Sequence, residues 1–236
     1  MEEIKELSVI EHRIYKVDAV PFRQLVTASN LNAFTSLFMF KDTEISEDAS
    51  NNLLSVKMKL GEFNVDKKIY SIDQLLIDRR SIFFKIQSDS SIAKKFYQNI
   101  CDVFSQINLH NHFEVDACLI MTSQTTCNVK LDFDFKELLS KTFITYINRE
   151  ASKKLTSAID NKAKVEILPK TLVFNVNFNV TDNNLLENKI SIASKPLTIE
   201  PRAGTSAKDR IYYTSSPSDT DTHLKILSTL EEAFKK

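Results

Sequence analysis

Strict alternation of apolar and polar residues predicts β-strands in two segments of the chain. VKMKL at residues 56–60 alternates lysine with apolar residues, and FNVNFNV at residues 174–180 alternates asparagine with them. Because successive side chains of a strand point to opposite faces, each segment is expected to have one buried and one solvated face. In the first segment, Val56, Met58 and Leu60 are expected on the buried face. This pattern is typical of antiparallel sheets that are covered on one side.

Apolar residues spaced three and four apart predict amphipathic helices, one closing each half of the chain. The two apolar stripes are Ile92, Phe96, Ile100, Val103, Phe104 and Ile107 in the first helix, and Leu224, Leu227, Leu230 and Phe234 in the second. Residues 88–91 precede the first stripe, and Asp219 or Asp221 precedes the second. Both helices therefore have side-chain oxygens that are suited to an N-cap.

Two further segments carry helix signals. Residues 135–159 predict a longer helix from the spacing of their leucines and aromatic residues. Residues 21–40 fit either a helix that begins near Pro21 or a strand over FTSLFMF, and the sequence leaves this alternative open.

An internal similarity organises these elements. Residues 68–107 and 189–236 share one order: an alternating run that begins at Lys-Ile, a second run after an arginine, a Ser-Asp pair and a closing helix. We therefore predict an α+β fold of two similar halves, each a mostly antiparallel sheet covered on one face by helices, in a β-α-β-β-β-α-like order. The halves are residues 1–110 and 111–236, with the boundary inside residues 108–112. The alternative is one continuous domain.

The composition excludes several classes of chemistry. The 236 residues include two glycines, Gly61 and Gly204, where average usage would give about 16. A phosphate-binding loop, a dinucleotide-binding fingerprint or a nucleophile elbow cannot be built from two isolated glycines. The 31 basic and 31 acidic side chains cancel, which disfavours a surface for nucleic acid or anionic membranes.

Targeting signals and cysteine usage favour a soluble, cytoplasmic protein. The N-terminal residues are acidic and lack an apolar signal region, and the longest apolar run, residues 117–121, is far shorter than the ~20 residues of a membrane helix. Cys101, Cys118 and Cys127 lack C-x-x-C spacing, so we expect free thiols, with Cys101 as a small core residue. We expect no membrane association.

One segment carries a metal-ligand pattern. In an extended conformation His110, His112, Glu114 and Asp116 project from one face, where two imidazoles and two carboxylates could ligate zinc. The same residues also suit the solvated face of a half-buried strand, because apolar residues alternate with them. We favour this second interpretation and predict no cofactor.

The solvated strand faces form a candidate binding surface. Lys57 and Lys59 in the first half would occupy positions similar to Asn175, Asn177 and Asn179 in the second, and such side chains can contact bases or phosphates. Two sheet units with flanking helices resemble, in plan only, the TATA-box-binding proteins. No motif residue of that family is matched and the charge balance argues against its DNA-binding mode, so the sequence is assigned to no family.

These patterns favour a non-enzymatic interaction or accessory module that docks a protein partner, or a second copy of itself, on an exposed sheet face or edge. The lack of catalytic motifs supports it, as do 16 phenylalanines, more than one small core requires. Two alternatives stay open. One is a small apolar ligand held between a curved sheet and the helix of residues 135–159, and the other is nucleic acid bound through the Lys/Asn strand faces. An enzyme is favoured less than any of these.

Overall fold

Nine β-strands and four α-helices with defined bounds make up most of the chain that the structure describes. The structure, a computed structural model, describes residues 2–48, 53–107, 118–133, 145, 149, 171–174 and 196–234. The strands are β1 (Glu2–Ile14), β2 (Asp42–Asp48), β3 (Leu53–Val65), β4 (Lys68–Asp78), β5 (Ser81–Ile86), β6 (Ile120–Lys130), β7 (Leu172–Phe174), β8 (Leu197–Pro201) and β9 (Ile211–Ser216). The helices are α1 (Phe22–Leu25), α2 (Ala28–Leu37), α3 (Ser90–Ile107) and α4 (Thr220–Phe234), and a 3-10 turn covers Ala207–Asp209.

All nine strands form one sheet in the order β2-β3-β4-β5-β1-β6-β9-β8-β7, and every neighbouring pair is antiparallel. The central strands are β1 and β6, so strands from both sides of the predicted boundary belong to the same sheet. The mixed α+β class and the antiparallel pairing are therefore confirmed.

Strand pairing follows the same plan on both sides of the sheet centre. Val9 of β1 lies opposite Thr125 of β6. On their other sides, Val9 lies opposite Ile86, the last residue of β5, and Thr125 lies opposite Ser216, the last residue of β9. The helices α3 and α4 begin at matching distances beyond these two strand ends.

Aromatic rings fill the larger of two buried clusters, which joins β1 and β3–β5 to α1, α2 and α3. The ring of Phe96 lies 5.2 to 5.3 Å from the rings of Phe38, Phe63 and Phe84, in tilted and edge-on contacts. The residues of the first predicted stripe behave as expected: Ile92, Phe96, Ile100 and Phe104 are buried, and Val103 and Ile107 pack against them. Cys101 is also buried there, as predicted.

The second cluster lies on the other side of the sheet centre. Leu227 of α4 is buried with Cys127, Val129, Leu197 and Ile199 of the sheet. The other residues of the second predicted stripe, Leu224, Leu230 and Phe234, are partly buried against this cluster. Because directly opposed residues of antiparallel strands point to the same side, the pairing of β1 with β6 places both clusters on one face of the sheet.

Both long helices begin with an aspartate cap from the predicted segments, residues 88–91 for α3 and Asp219 or Asp221 for α4. Asp89 Oδ1 accepts hydrogen bonds from the backbone amides of Ser91 at 2.8 Å and Ile92 at 3.0 Å. Asp219, and not Asp221, plays this part in α4, since its Oδ1 accepts from the amide of Thr222 at 2.8 Å. Each cap satisfies amides that a helix start would otherwise leave without an acceptor.

The starts of the two helices also bond to each other. The backbone amide of Thr220 donates to Ser90 Oγ at 2.8 Å, and the amide of Ser90 donates to Thr220 Oγ1 at 3.0 Å. Both residues are buried. This reciprocal pair ties α3 to α4 above the sheet centre.

Leu60 departs from the predicted alternation of β3. Val56 and Met58 are buried as expected, but the side chain of Leu60 is 61% exposed and its φ is 55°. The left-handed backbone at Leu60 reverses the alternation, so Gly61 and Phe63 continue the buried face. The prediction that Leu60 lies on that face was therefore wrong.

The remaining predictions divide by position. Residues 21–40 form the helices α1 and α2, with Pro21 directly before α1, so the strand alternative was wrong. Two residues within 135–159 are described, Thr145 and Arg149, and both are helical. The rest of that segment, residues 175–180 and the boundary at 108–112 lie outside the described residues, so the predictions made for them stay predictions.

Gly61 is expected to be intolerant of any side chain. A Cβ atom there would lie 2.5 Å from ring atoms of Phe40 and 2.9 Å from the carbonyl oxygen of Phe38. Gly61→Ala should lower the free energy of unfolding by about 1–3 kcal/mol, as overpacking does, measured by urea denaturation. Gly204 is the control: its φ is 79° with open space around it, so Gly204→Asn should change stability by less than about 0.5 kcal/mol. Equal stability of both variants would contradict the packing argument.

The reciprocal pair of Ser90 and Thr220 should show energetic coupling. Each single alanine variant leaves a buried amide without its acceptor and should cost about 1–3 kcal/mol. The double variant should cost less than the sum by roughly 1 kcal/mol, because either single change already breaks the contact between Ser90 Oγ and Thr220 Oγ1, which lie 3.0 Å apart. A denaturation double-mutant cycle measures this, with the exposed Thr229→Ala as the control. Strict additivity would show that the two helices are not linked here.

Candidate functional site

The lysines of β3 lie on the face of the sheet opposite the buried clusters, which we call the polar face. In the pairing of β2 with β3, Lys57 lies opposite Glu44 and Lys59 lies opposite Asp42. Lys59 Nζ is 3.3 Å from Asp42 Oδ2, and both side chains are well exposed. The predicted positions of Lys57 and Lys59 on the solvated face agree with this alternation, and each lysine faces a carboxylate across the strand pair.

The next basic residue on the polar face is also paired. Lys85 Nζ of β5 lies 2.7 Å from Asp73 Oδ2 of β4. The side-chain amide nitrogen of Gln87 donates to the same aspartate oxygen at 2.7 Å. The polar face over β2–β5 therefore carries alternating charges, not a basic stripe.

Hydroxyl and amide side chains occupy the centre of the polar face. Ser8 Oγ and Thr126 Oγ1 lie 2.7 Å apart across β1 and β6, and Gln124 Nε2 donates to Ser215 Oγ of β9 at 2.6 Å. Asn128 donates to Glu6, whose other carboxylate oxygen accepts from Arg202 Nη2 at 2.5 Å. These bonds fix the side chains of the central strip in one arrangement.

Two aromatic residues flank this strip at corresponding strand positions. Phe83 of β5 is half-buried, and its ring meets the ring of His12 edge-on at a centroid distance of 6.0 Å. Tyr213 of β9 is 39% exposed and lies opposite Asn128. Of the two rings, that of Tyr213 is the exposed one, and Ser8, Thr126, Asn128 and Ser215 of the strip between them are buried.

Most of the other predicted site residues lie outside the described part of the chain. These are Asn175, Asn177 and Asn179 of the binding surface, and His110, His112, Glu114 and Asp116 of the metal hypothesis. Their positions stay predictions. Among the residues that the structure does describe, no group of three or more His, Cys, Asp or Glu side chains could hold a metal ion.

A buried histidine lies at the start of α4, between the helix and the sheet. Ser216 Oγ is 2.7 Å from His223 Nδ1, and Thr214 Oγ1 is 3.0 Å from His223 Nε2. Cys127 Sγ lies 3.6 Å from the same Nε2 atom. Burial lowers the pKa of His223 to about 4, so the imidazole is neutral at pH 7 and is held by hydroxyl groups on both sides.

Sequence reasoning missed this histidine because α4 was read from its leucines alone. His223, Leu227 and Glu231 recur at four-residue intervals, and all three are buried. Spacing of this kind places residues on one helix face. The interval of four from His223 to Leu227 is the signal that could have revealed it.

A second buried polar cluster lies beneath α3. Arg13 donates to Glu11 Oε2 through Nε at 3.0 Å and Nη2 at 2.8 Å, and its guanidinium carbon lies 3.7 Å from the centroid of the Tyr97 ring. Burial lowers the pKa of Arg13, but the charge and hydrogen bond of Glu11 outweigh it, so the pKa lies above its usual value. The hydroxyl groups of Tyr15 and Tyr97 bond to each other, and burial raises the pKa of both.

The buried thiols lack the features of a nucleophile. Burial raises the pKa of Cys101 to about 11 and also raises the pKa of Cys127, although Thr214 opposes the second shift. A reactive cysteine needs a lowered pKa and access to solvent. Cys101 and Cys127 have neither, so both act as core residues.

No protein-family model matches the sequence, and no curated protein is significantly similar to it. Among the described residues, none of the helices has both the length and the apolar character needed to cross a bilayer.

Acid should weaken the fold through His223. Its pKa is about 4 when folded and 6.5 in its ordinary state, so the unfolded chain takes up the proton first as pH falls. Stability from this group is complete above pH 6.5 and decreases toward pH 4, by about 3 kcal/mol in total. The His223→Leu variant cannot titrate here. Urea unfolding between pH 7.5 and 4 should show the stability gap between wild type and variant narrowing by that amount, and a constant gap would rule out this linkage.

Proposed function

We propose that this chain is a non-enzymatic interaction module that binds a protein partner through the polar face of its sheet, over β2–β5. The observation that carries the proposal is the pairing of opposite charges on that face, Lys59 with Asp42 and Lys85 with Asp73. A phosphate-binding surface needs unneutralised basic groups that can release counterions. Alternating charges beside half-buried apolar residues such as Leu76 and Phe83 instead match the mixed surface of a polypeptide.

We further propose that the chain consists of two copies of one unit, each a sheet covered on one face by helices. Residues 81–86 with the start of α3 at Ser90, and residues 211–216 with the start of α4 at Thr220, are offset by a constant 130 positions. The central pair of Val9 and Thr125 occupies equivalent places relative to β5 and β9. These matches support a two-fold relation that passes through the sheet centre.

The two-fold relation has consequences for the proposed surface. It makes Phe83 equivalent to Tyr213, so each half would contribute one aromatic ring to the polar face. It also relates β3 to β7. Because the residues that lie opposite Lys59 in β4 and opposite Val173 in β8 are equivalent, Val173 occupies the place of Lys59. Lys59 therefore has an apolar counterpart in the second half, which is why the binding proposal is placed in the first half.

The two alternatives lack a favouring observation in the described residues. Nucleic-acid binding rests partly on Asn175, Asn177 and Asn179, which lie outside the described residues. The two lysines on which it also rests, in β3, each lie opposite a residue with a carboxylate. Binding of an apolar ligand rests on the helix of residues 135–159, and in the first half the space between the sheet and α3 is filled by packed rings. The nucleic-acid alternative is an outcome of the experiment below.

Removal of the two lysines should abolish partner capture. We expect a protein captured from extract of the source cells by the immobilised chain to be lost with Lys57→Ala/Lys59→Ala, because the surface loses two charges and their aliphatic contacts. The stability cost should be below about 1 kcal/mol, the worth of an exposed ion pair. Quantitative mass spectrometry of the captured proteins, compared with wild type, provides the measurement.

Lys67→Ala/Lys68→Ala is the matched control, because it makes the same change of charge in the exposed turn between β3 and β4. Capture by this variant should equal capture by wild type. Equal loss in both variants would show a nonspecific charge effect. Salt-dependent binding of a labelled DNA or RNA duplex by wild type would favour the nucleic-acid alternative instead.

A further inference from the structure

Three apolar residues with exposed side chains lie on the two segments that come together where α2 ends beside β3. Leu37, Met39 and Leu60 are 54%, 53% and 61% exposed. The backbone amide of Glu62 donates to the carbonyl of Phe38 at 2.7 Å, and this bond holds the segment after α2 against β3. We call these three apolar residues the α2–β3 patch.

The backbone at this patch is fixed in an unfavourable conformation. Met39 has a φ of 51° and Leu60 a φ of 55°, in the left-handed region that costs a non-glycine residue about 1–2 kcal/mol. Met39 occupies the position after α2 that glycine usually fills. Its backbone amide donates to the carbonyl oxygen of Ser36 at 3.3 Å, and the amide of the next residue donates to the carbonyl oxygen of Thr35 at 3.0 Å. Strain of this kind at exposed positions points to a use outside the fold itself.

The choice of side chain at these two positions is unusual for this chain. In the described residues, the other non-glycine residues with positive φ are all charged: Glu6, Asp18, Asp66, Lys67 and Arg210. In the described residues, Met39 and Leu60 are therefore the only apolar residues at left-handed positions, and both belong to the α2–β3 patch. Scarcity of glycine accounts for the strain but not for this choice of side chain.

The patch continues into the edge of the sheet. β2 starts three residues after Met39 and is the last of the described strands on its side of the sheet. Its sequence, DTEISED, has four acidic residues in seven and no basic one, and Ile45 is half exposed. An edge strand presents backbone groups that can pair with an added strand.

We propose that an extended basic segment of a partner protein adds to the edge of the sheet along β2 and packs an apolar side chain on the α2–β3 patch. The sequence of β2 has two acidic residues more than the two lysines that lie opposite Asp42 and Glu44, and this acidic excess at the edge complements a basic segment. A second copy of this chain is disfavoured as the occupant, because pairing two β2 strands would bring their acidic residues together. Asp42 and Glu44 also belong to the polar face, whereas the α2–β3 patch is used by this inference alone, so substitutions in the patch test it separately from the proposed function.

The test uses a displayed library of random 12-residue peptides, selected on the full chain. Enriched peptides should carry Lys or Arg in alternation with other residues and an apolar residue near one end. Their affinity, measured by fluorescence anisotropy of labelled peptides, should fall about tenfold or more with Met39→Gly/Leu60→Gly, the loss expected when an interface anchor is removed. Asp42→Asn/Glu44→Gln should weaken binding several-fold and reduce its salt dependence.

The double glycine variant keeps the test clear of unfolding. Glycine relieves the left-handed strain at both positions, so the melting temperature should be equal to or higher than that of wild type, by about 2–4 °C for each kcal/mol gained. Val17→Ser, which changes another exposed apolar residue, is the matched control and should leave peptide binding unchanged.

Four results would overturn the inference: no enrichment of peptides, an acidic consensus, equal binding by the double glycine variant, or a loss of melting temperature in that variant large enough to account for its weaker binding. Sedimentation equilibrium tests the other possible occupant, a second copy of the chain. A dimer of wild type that is lost in the glycine variant would identify a second copy of the chain and contradict the proposed partner.

Discussion

The pairing of β1 with β6 is the interaction on which the rest of the structure depends. It runs from Glu2 opposite Lys130 to Ile14 opposite Ile120, with shifts of register near its start. β5 bonds to the outer side of β1, and β9 bonds to the outer side of β6. Without this pair, the strands would form two separate sheets with hydrophobic faces of their own, and α3 and α4 would not meet. The small hydroxyl residues along β6 suit this position, because they leave room for close packing on each face.

The two sides of the sheet centre bury polar groups in different ways. Glu11 of β1 lies opposite Phe84, and Cys127 of β6 lies opposite Thr214, at matching places in the pairing. On the first side the buried position holds a carboxylate, which needs the bonds from Arg13 because an unpaired buried charge is very costly. On the second side it holds a neutral thiol beside the hydroxyl groups around His223. The first arrangement is stable while the charges of Glu11 and Arg13 stay paired. The second is stable while the imidazole of His223 stays unprotonated.

Local features of this fold could be predicted from the sequence, and features that depend on strand register could not. The stripe from Ile92 to Phe104, the caps at Asp89 and Asp219 and the outward position of Lys57 all follow from periodicity or from contacts within four residues. The pairing of Lys59 with Asp42 does not, because it requires knowing which residues of another strand lie opposite. Leu60 fails for a related reason: one left-handed residue reverses the alternation, and nothing in a Lys-Leu-Gly triplet reveals that.

Scarcity of glycine explains where this chain departs from the simplest periodic patterns. One of its two glycines, Gly61, is required by space and not by φ, since a Cβ atom would collide with the ring of Phe40. The left-handed conformation next to it falls on Leu60, which has a side chain to expose. The chain therefore uses glycine where two backbones approach most closely and accepts strain where a side chain can reach solvent. Close approach and strain meet at the junction of α2 with β3, so this junction is both the most constrained part of the first half and the one that presents apolar groups outward.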